Sequence, residues 1–139
     1  MIQIISGEKG KGKTKVLIEK ANTEVRAAKG SIVYLDKSNK HMYELSNKIR
    51  LINVRDCFIE NQSEFIGFIC GIISCDHDLQ KVYLDSFLKI AYIDNTTLEA
   101  AFDKLQKISE QFQVDLIMSI SMDFEQLPEN IKQYVIVSL

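Results

Sequence analysis

Residues 7–14 read Gly-Glu-Lys-Gly-Lys-Gly-Lys-Thr, and no other stretch narrows the fold as much. It fits the spacing GxxxxGK[ST] at every fixed position. A short β-rich run, Ile2 to Ser6, leads into it, and a helical pattern, Lys13 to Ala28, begins inside it. A loop of this kind turns its backbone N–H groups inward around an anion, and side chains at the tight points would obstruct that turn. Glycine permits the required backbone angles. The helix N-terminus adds partial positive charge at the same spot. The alternative is a lysine-rich surface loop, and the strand before and helix after argue against it. Lys9, Lys11 and Lys15 surround the motif, and solvated charge is the plain reading for Lys9 and Lys15. The glycines run GxxGxG, which is not the GxGxxG of dinucleotide folds.

The rest of the chain alternates strand-like and helix-like segments. Val16, Leu17 and Ala21 share one face of the first helix, and Gly30 is expected to end it. Further strands are expected over Ser31 to Leu35, Ile49 to Val54, Lys81 to Leu84, Val114 to Ile120 and Tyr134 to Leu139. Ser63 is placed to cap a helix running to about Ser74. Thr96-Thr97-Leu98-Glu99 has the spacing of a capping box. The helix after it shows Leu98, Ala101, Phe102, Leu105, Ile108 and Phe112 as one stripe at helical period. Strands separated by helices predict parallel pairing with helices on both faces, a three-layer α/β domain with a mostly parallel six-stranded sheet. At 139 residues the chain, 1–139, suits one domain.

Val-Tyr-Leu-Asp occurs twice, ending at Asp36 and at Asp85. Each copy is an apolar run closed by a carboxylate. Ligands of open α/β sheets bind at the carboxyl ends of the strands, so Ser6, Asp36, Arg55, Asp85 and Ser119 are candidates for one rim. Asp36 would also serve as a turn residue in Asp36-Lys37-Ser38-Asn39, and Asp85 as the cap of a short helix from Ser86.

Composition removes other classes. A net charge of -2 and a pI near 5.7 disfavour a general nucleic-acid binder. Cys57, Cys70 and Cys75 form no CxxC pair, which suits a reducing, cytoplasmic setting; Cys70, in an apolar run, is expected in the core. The N-terminus lacks the pattern of a signal peptide. The longest apolar run, Phe65 to Ile73, is far short of the roughly 20 residues of a membrane span. Asp76-His77-Asp78 would sit at the opposite end of the sheet, as a solvated loop, and His41 has no obvious partner in sequence.

These motifs resemble those of the P-loop nucleoside triphosphatases. Gly7 to Thr14 is similar to their Walker A motif and Lys81 to Asp85 to their Walker B motif. Within that superfamily the RecA-like group fits better. The layout also resembles corrinoid adenosyltransferases and thymidine kinases, and a group of short bacterial ATP-binding proteins labelled twitching-motility (PilT-like). A true pilus-retraction ATPase is longer and carries acidic and histidine boxes that this chain lacks. The resemblance implies a strand order of 3-2-4-5-1-6.

It further implies that Gly7, Glu8, Lys9, Gly10, Lys11, Gly12, Lys13, Thr14 and Lys15 surround the phosphates of ATP. Lys13 would reach the β- and γ-phosphates. Thr14 and Asp85 would hold Mg²⁺. Asp36 would orient the attacking water, so that Lys13, Asp36 and Asp85 form the catalytic set. Ser119 or Ser121 would sense the γ-phosphate. Many relatives place a glutamate directly after the Walker B aspartate, whereas this chain has Ser86. Either Asp36 supplies that carboxylate, or hydrolysis is slow or absent. ATP is expected over GTP, because Asn39-Lys40-His41-Met42 lacks the aspartate of NKxD and Asp85-Ser86-Phe87-Leu88 is not DxxG.

The expected function is a Mg²⁺-dependent ATP-binding protein, a weak ATPase or a nucleotide switch. The alternatives are a nucleotide-dependent transferase, either a small-molecule kinase or an adenosyltransferase, and a regulatory module that binds without turnover. A homo-oligomer or an unidentified protein would be the partner, and an arginine finger from a neighbouring subunit is one source of rate.

Overall fold

The computed structural model describes residues 1–139. Six strands form one parallel sheet: β1 (Ile2–Ser6), β2 (Ser31–Asp36), β3 (Ile49–Asn53), β4 (Leu79–Leu84), β5 (Asp115–Ile120) and β6 (Val135–Ser138). Their order is β3-β2-β4-β5-β1-β6, and every pairing is parallel. The connecting helices are α1 (Lys13–Ala27), α2 (Gln62–Cys75), α3 (Phe87–Ile90), α4 (Leu98–Phe112) and α5 (Glu129–Lys132). This is the RecA-like α/β arrangement.

Side chains alternate across each strand, and the alternation divides the core in two. On one face Leu17, Ile18 and Ala21 of α1 pack on Ile5, Tyr34, Tyr83 and Ile117. On the other face α2 and α4 cover Ile4, Val33, Leu35, Val82, Leu84 and Met118 in a larger cluster. The predicted stripe of α4 is buried at Leu98, Ala101, Phe102, Leu105 and Ile108, but Phe112 is exposed. The helix ends there, and Gln113 turns the chain away in a left-handed conformation, φ 55°. Truncating Leu105, fully buried, would cost about 2–5 kcal/mol.

Local details depart from the sequence expectations in four places. Asn61, not Ser63, caps α2, accepting from the Glu64 N–H at 2.9 Å. No capping box forms at Thr96. Instead the Asp94 carboxylate, a stronger acceptor than a hydroxyl, takes the N–H groups of Thr96 and Thr97 at 2.8 and 3.1 Å. The Thr96 hydroxyl also donates to it at 2.6 Å, and that bond first, then the one from the Thr96 N–H, hold the Asp94 carboxyl below its ordinary pKa. Gly30 is required by a neighbour rather than by the helix end, because a Cβ there would lie 1.9 Å from the Asp78 carbonyl oxygen. Cys70 is only half-buried, packed against the edge of the larger cluster. No helix is long and apolar enough to cross a membrane.

Candidate functional site

The two Val-Tyr-Leu-Asp segments are neighbours in the sheet and in register. Val33 pairs with Val82, Tyr34 with Tyr83 and Leu35 with Leu84. The Asp85 N–H then donates to the Leu35 carbonyl at 2.9 Å, so both aspartates emerge side by side at the carboxyl end. β1, two strands from β4, ends at Ser6 and delivers the glycine-rich loop to the same rim.

Gly10 and Gly12 adopt φ of 87° and 93°, the left-handed region where a side chain is strained. Gly7 answers a different demand, since a Cβ there would come within 3.1 Å of Leu139 Cβ. Lys13 starts α1 and is 8% exposed. Its ammonium donates to the Glu8 carbonyl at 3.0 Å, folding back over the loop. Burial lowers its pKa, and the Asp85 charge opposes that shift.

Asp85 is the most heavily bonded carboxylate of the site. Its Oδ1 accepts from Thr14 Oγ1 at 3.1 Å and from Ser119 Oγ at 3.0 Å, and its Oδ2 accepts from the Tyr34 hydroxyl at 2.8 Å. Ser119 in turn accepts the Ser86 N–H at 2.9 Å. None of these bonds caps α3, so the helix-cap reading of Asp85 does not apply. Burial first, then Asp85, pushes the Tyr34 phenol far above its ordinary pKa. It therefore remains a donor at any physiological pH.

Asp36 is equally buried, at 2% exposure against 2% for Asp85. Its Oδ1 accepts the Lys37 N–H at 2.7 Å, which is turn chemistry. Its Oδ2 has no hydrogen-bond partner in the protein. Burial, and secondarily the Asp85 charge, raise its pKa above the ordinary 3.8. Ser6 Oγ, at the foot of the loop, is likewise buried and unpartnered.

A cavity of about 340 Å³ opens over this rim. Lys9, Gly10, Gly12, Lys13 and Thr14 form one side, and Asp85, Ser86, Ser119 and Ser121 the other. None of its lining side chains is apolar, which suits a polyphosphate and Mg²⁺ rather than an apolar ligand. Asp36, Lys11 and Lys15 do not line it. Lys37 and Lys89 do, and neither is among the sequence candidates for the site. Each left a signal: Lys37 directly follows Asp36, and Lys89 stands one helical turn after Asp85. Arg55 falls in a 3₁₀ turn, Val54–Cys57, rather than at a strand end, and lies outside this cavity. A larger hollow of about 830 Å³ flanks β2, β3 and α2 and shares no residue with the loop.

The remaining candidates resolve simply. Asp76-His77-Asp78 lies before β4, at the end of the sheet away from the loop, with Asp76 Oδ1 accepting the Asp78 N–H at 2.9 Å. His41 Nδ1 contacts Glu44 Oε1 at 2.9 Å, a partner three residues on.

No family model matches the chain, and no curated protein matches it. Among solved structures, it is similar to the flagellar accessory protein FlaH from Methanocaldococcus jannaschii, with a TM-score of 0.57 at 12% identity. The match covers 95% of this chain and 65% of that one, so the chain spans just under two thirds of FlaH. A likeness at that identity carries the fold alone.

Proposed function

We propose that this chain binds Mg²⁺·ATP in the cavity over the glycine-rich loop and acts as a weak ATPase or nucleotide switch. One observation carries the reading: Thr14 and Asp85, 71 residues apart in sequence, meet at 3.1 Å. The RecA-like fold alone supports nucleotide binding only in general.

The donor set fits a small hard cation. The Thr14 hydroxyl donates its hydrogen bond to Asp85, which leaves its own oxygen lone pairs free for a metal. Asp85 is ionisable, buried and fixed by three donors. Mg²⁺ favours such oxygens and keeps several waters. When bound, it would neutralise charge on the β- and γ-phosphates. The loop's N–H groups would hold the phosphates, and Lys13 would leave the Glu8 carbonyl to meet them. Lys13 then stabilises negative charge as it develops on the γ-phosphate oxygens.

Asp36 is the candidate base for the attacking water, and its raised pKa suits that role. Asp36 does not line the cavity, whereas Lys37 next to it does, so this role would need the segment after β2 to shift. Ser86, where many relatives carry glutamate, also fits slow turnover. These two features favour a switch as the second reading. A transferase would need an acceptor, which is the third.

The test is thermal unfolding with Mg²⁺·ATP, Mg²⁺·GTP and Mg²⁺ alone, with Lys13→Ala beside the wild type. ATP at a hundredfold its dissociation constant should stabilise by about 2.7 kcal/mol, a shift of several degrees for a domain of this size. Absence of any nucleotide shift would overturn the reading. Phosphate release with ATP alone marks an ATPase, and Asp36→Asn should slow it about 100-fold. Binding without release marks a switch. Release or transfer only with an added acceptor marks a transferase.

A further inference from the structure

Beside the nucleotide cavity lies a second recess of about 80 Å³. Lys37, Arg55 and Lys89 surround it, and Val54, Ile59 and Tyr92 form its apolar walls. Lys37 and Lys89 line both hollows, so the two are contiguous. The recess has too little volume for a nucleotide, which needs several hundred Å³. It has room for one oxyanion group.

The charges there are not matched within the protein. Every ion pair of the chain uses other cations: the Met1 amino group, Lys20, His41, Lys81 and Lys132. Lys9, Lys37, Arg55 and Lys89 pair with no carboxylate, and repulsion from Lys37, then Lys9, lowers the Lys89 pKa. Solvated lysines ordinarily spread apart. Here they converge on a wall held in place, because the Tyr92 hydroxyl donates to the Ile59 carbonyl at 2.8 Å. Val54 and Ile59 are buried, and their apolar surface strengthens any charge interaction made against it.

We propose that Lys37, Arg55 and Lys89 bind a second phosphate group, separate from the nucleotide, in the recess that adjoins the Asp85 side of the nucleotide cavity. The proposal rests on the nucleotide reading only for what lies next door. A bound anion there would relieve the repulsion among the cations and would stand beside the γ-phosphate end of ATP, where it reports on or controls nucleotide occupancy. Its source is either free phosphate or a small phosphomonoester.

The experiment fills the nucleotide site with Mg²⁺ and a non-hydrolysable ATP analogue. Inorganic phosphate is then titrated at constant ionic strength by calorimetry. Saturable binding in the filled protein is expected, weakened at least tenfold in Arg55→Gln and unchanged in Lys104→Gln, an exposed lysine on α4. Arg55 does not line the nucleotide cavity, so analogue affinity should hold in Arg55→Gln. A parallel titration with glycerol phosphate separates the sources: tighter binding than inorganic phosphate indicates a phosphomonoester, and equal or weaker binding indicates free phosphate. Loss of phosphate binding once the analogue is bound, or equal affinity in Arg55→Gln and wild type, overturns the proposal. If the analogue itself fails to bind, the nucleotide reading fails. The same phosphate titration in Lys13→Ala, with and without Arg55→Gln, then still decides the second site.

Discussion

The ends of β2 and β4 carry the same four residues, paired in register, yet their aspartates meet opposite surroundings. Asp85 is held by three donors from β2, β5 and the start of α1. Asp36 is held by one N–H of its own turn and keeps a buried oxygen without a partner. The difference comes from position in the sheet. β4 is interior, with β5 beside it to supply Ser119, and it faces the glycine-rich loop across β5 and β1. β2 lies one strand further out, towards the β3 edge. A fully bonded carboxylate is a fixed anchor, suited to organising a cation. A buried carboxylate with a free oxygen is poised to take a proton or a water.

The tyrosines extend the contrast. Tyr34 and Tyr83 stack with ring centroids 6.1 Å apart, but their hydroxyls part company. Tyr34 reaches across to Asp85. Tyr83 bonds Glu24 on α1, which also pairs with Lys81. One tyrosine serves the rim and the other ties the helix to the sheet.

The largest way to break the comparison is to remove the anchor. Asp85→Ala leaves the Tyr34 hydroxyl and Ser119 buried without their acceptor, and should destabilise the ligand-free protein by about 3 kcal/mol, read from urea denaturation. Mg²⁺-dependent stabilisation by ATP should vanish with it. Tyr34→Phe removes one charge-assisted bond and should cost about 2 kcal/mol. It should also weaken Mg²⁺·ATP binding, because Asp85 then loses part of its orientation.

Asp36→Asn should act in the opposite direction. The folded-state pKa of Asp36 is raised, so the folded protein holds this proton more tightly than the unfolded chain. Its contribution to stability is present below the ordinary 3.8 and is lost as pH rises through the raised value. At pH 7 the asparagine variant should be more stable than wild type by about 1 kcal/mol, with the advantage fading towards pH 3. An advantage that stays constant with pH would mean that Asp36 carries no such strain. The smallest effect belongs to Tyr83→Phe, about 1 kcal/mol, with nucleotide affinity unchanged. A loss of ATP binding there would erase the distinction between the two tyrosines.

Much of this was legible in the chain itself, and the loop shows why. Its glycines and Lys-Thr pair act through local backbone geometry, so spacing alone predicts where the loop turns and where α1 begins. The strands were legible because buried parallel strands are continuous apolar runs. Boundaries shifted by a residue or two, as with β4, which starts at Leu79 rather than Lys81. The expected caps at Thr96 and Ser63 do not form, because several acceptors compete within a few residues and the charged or better-placed one wins.

The sequence by itself determined an α/β chain with a tightly turned glycine-rich loop and two aspartates on strand ends, because periodicity and glycine placement are local properties. Only the tertiary structure decided which aspartate is an anchor and which keeps a free oxygen, since the deciding donors come from other strands. It alone also gathered Lys37, Arg55 and Lys89 around one recess. Convergence of charges from three separate segments depends on strand order and register, and no local pattern encodes those.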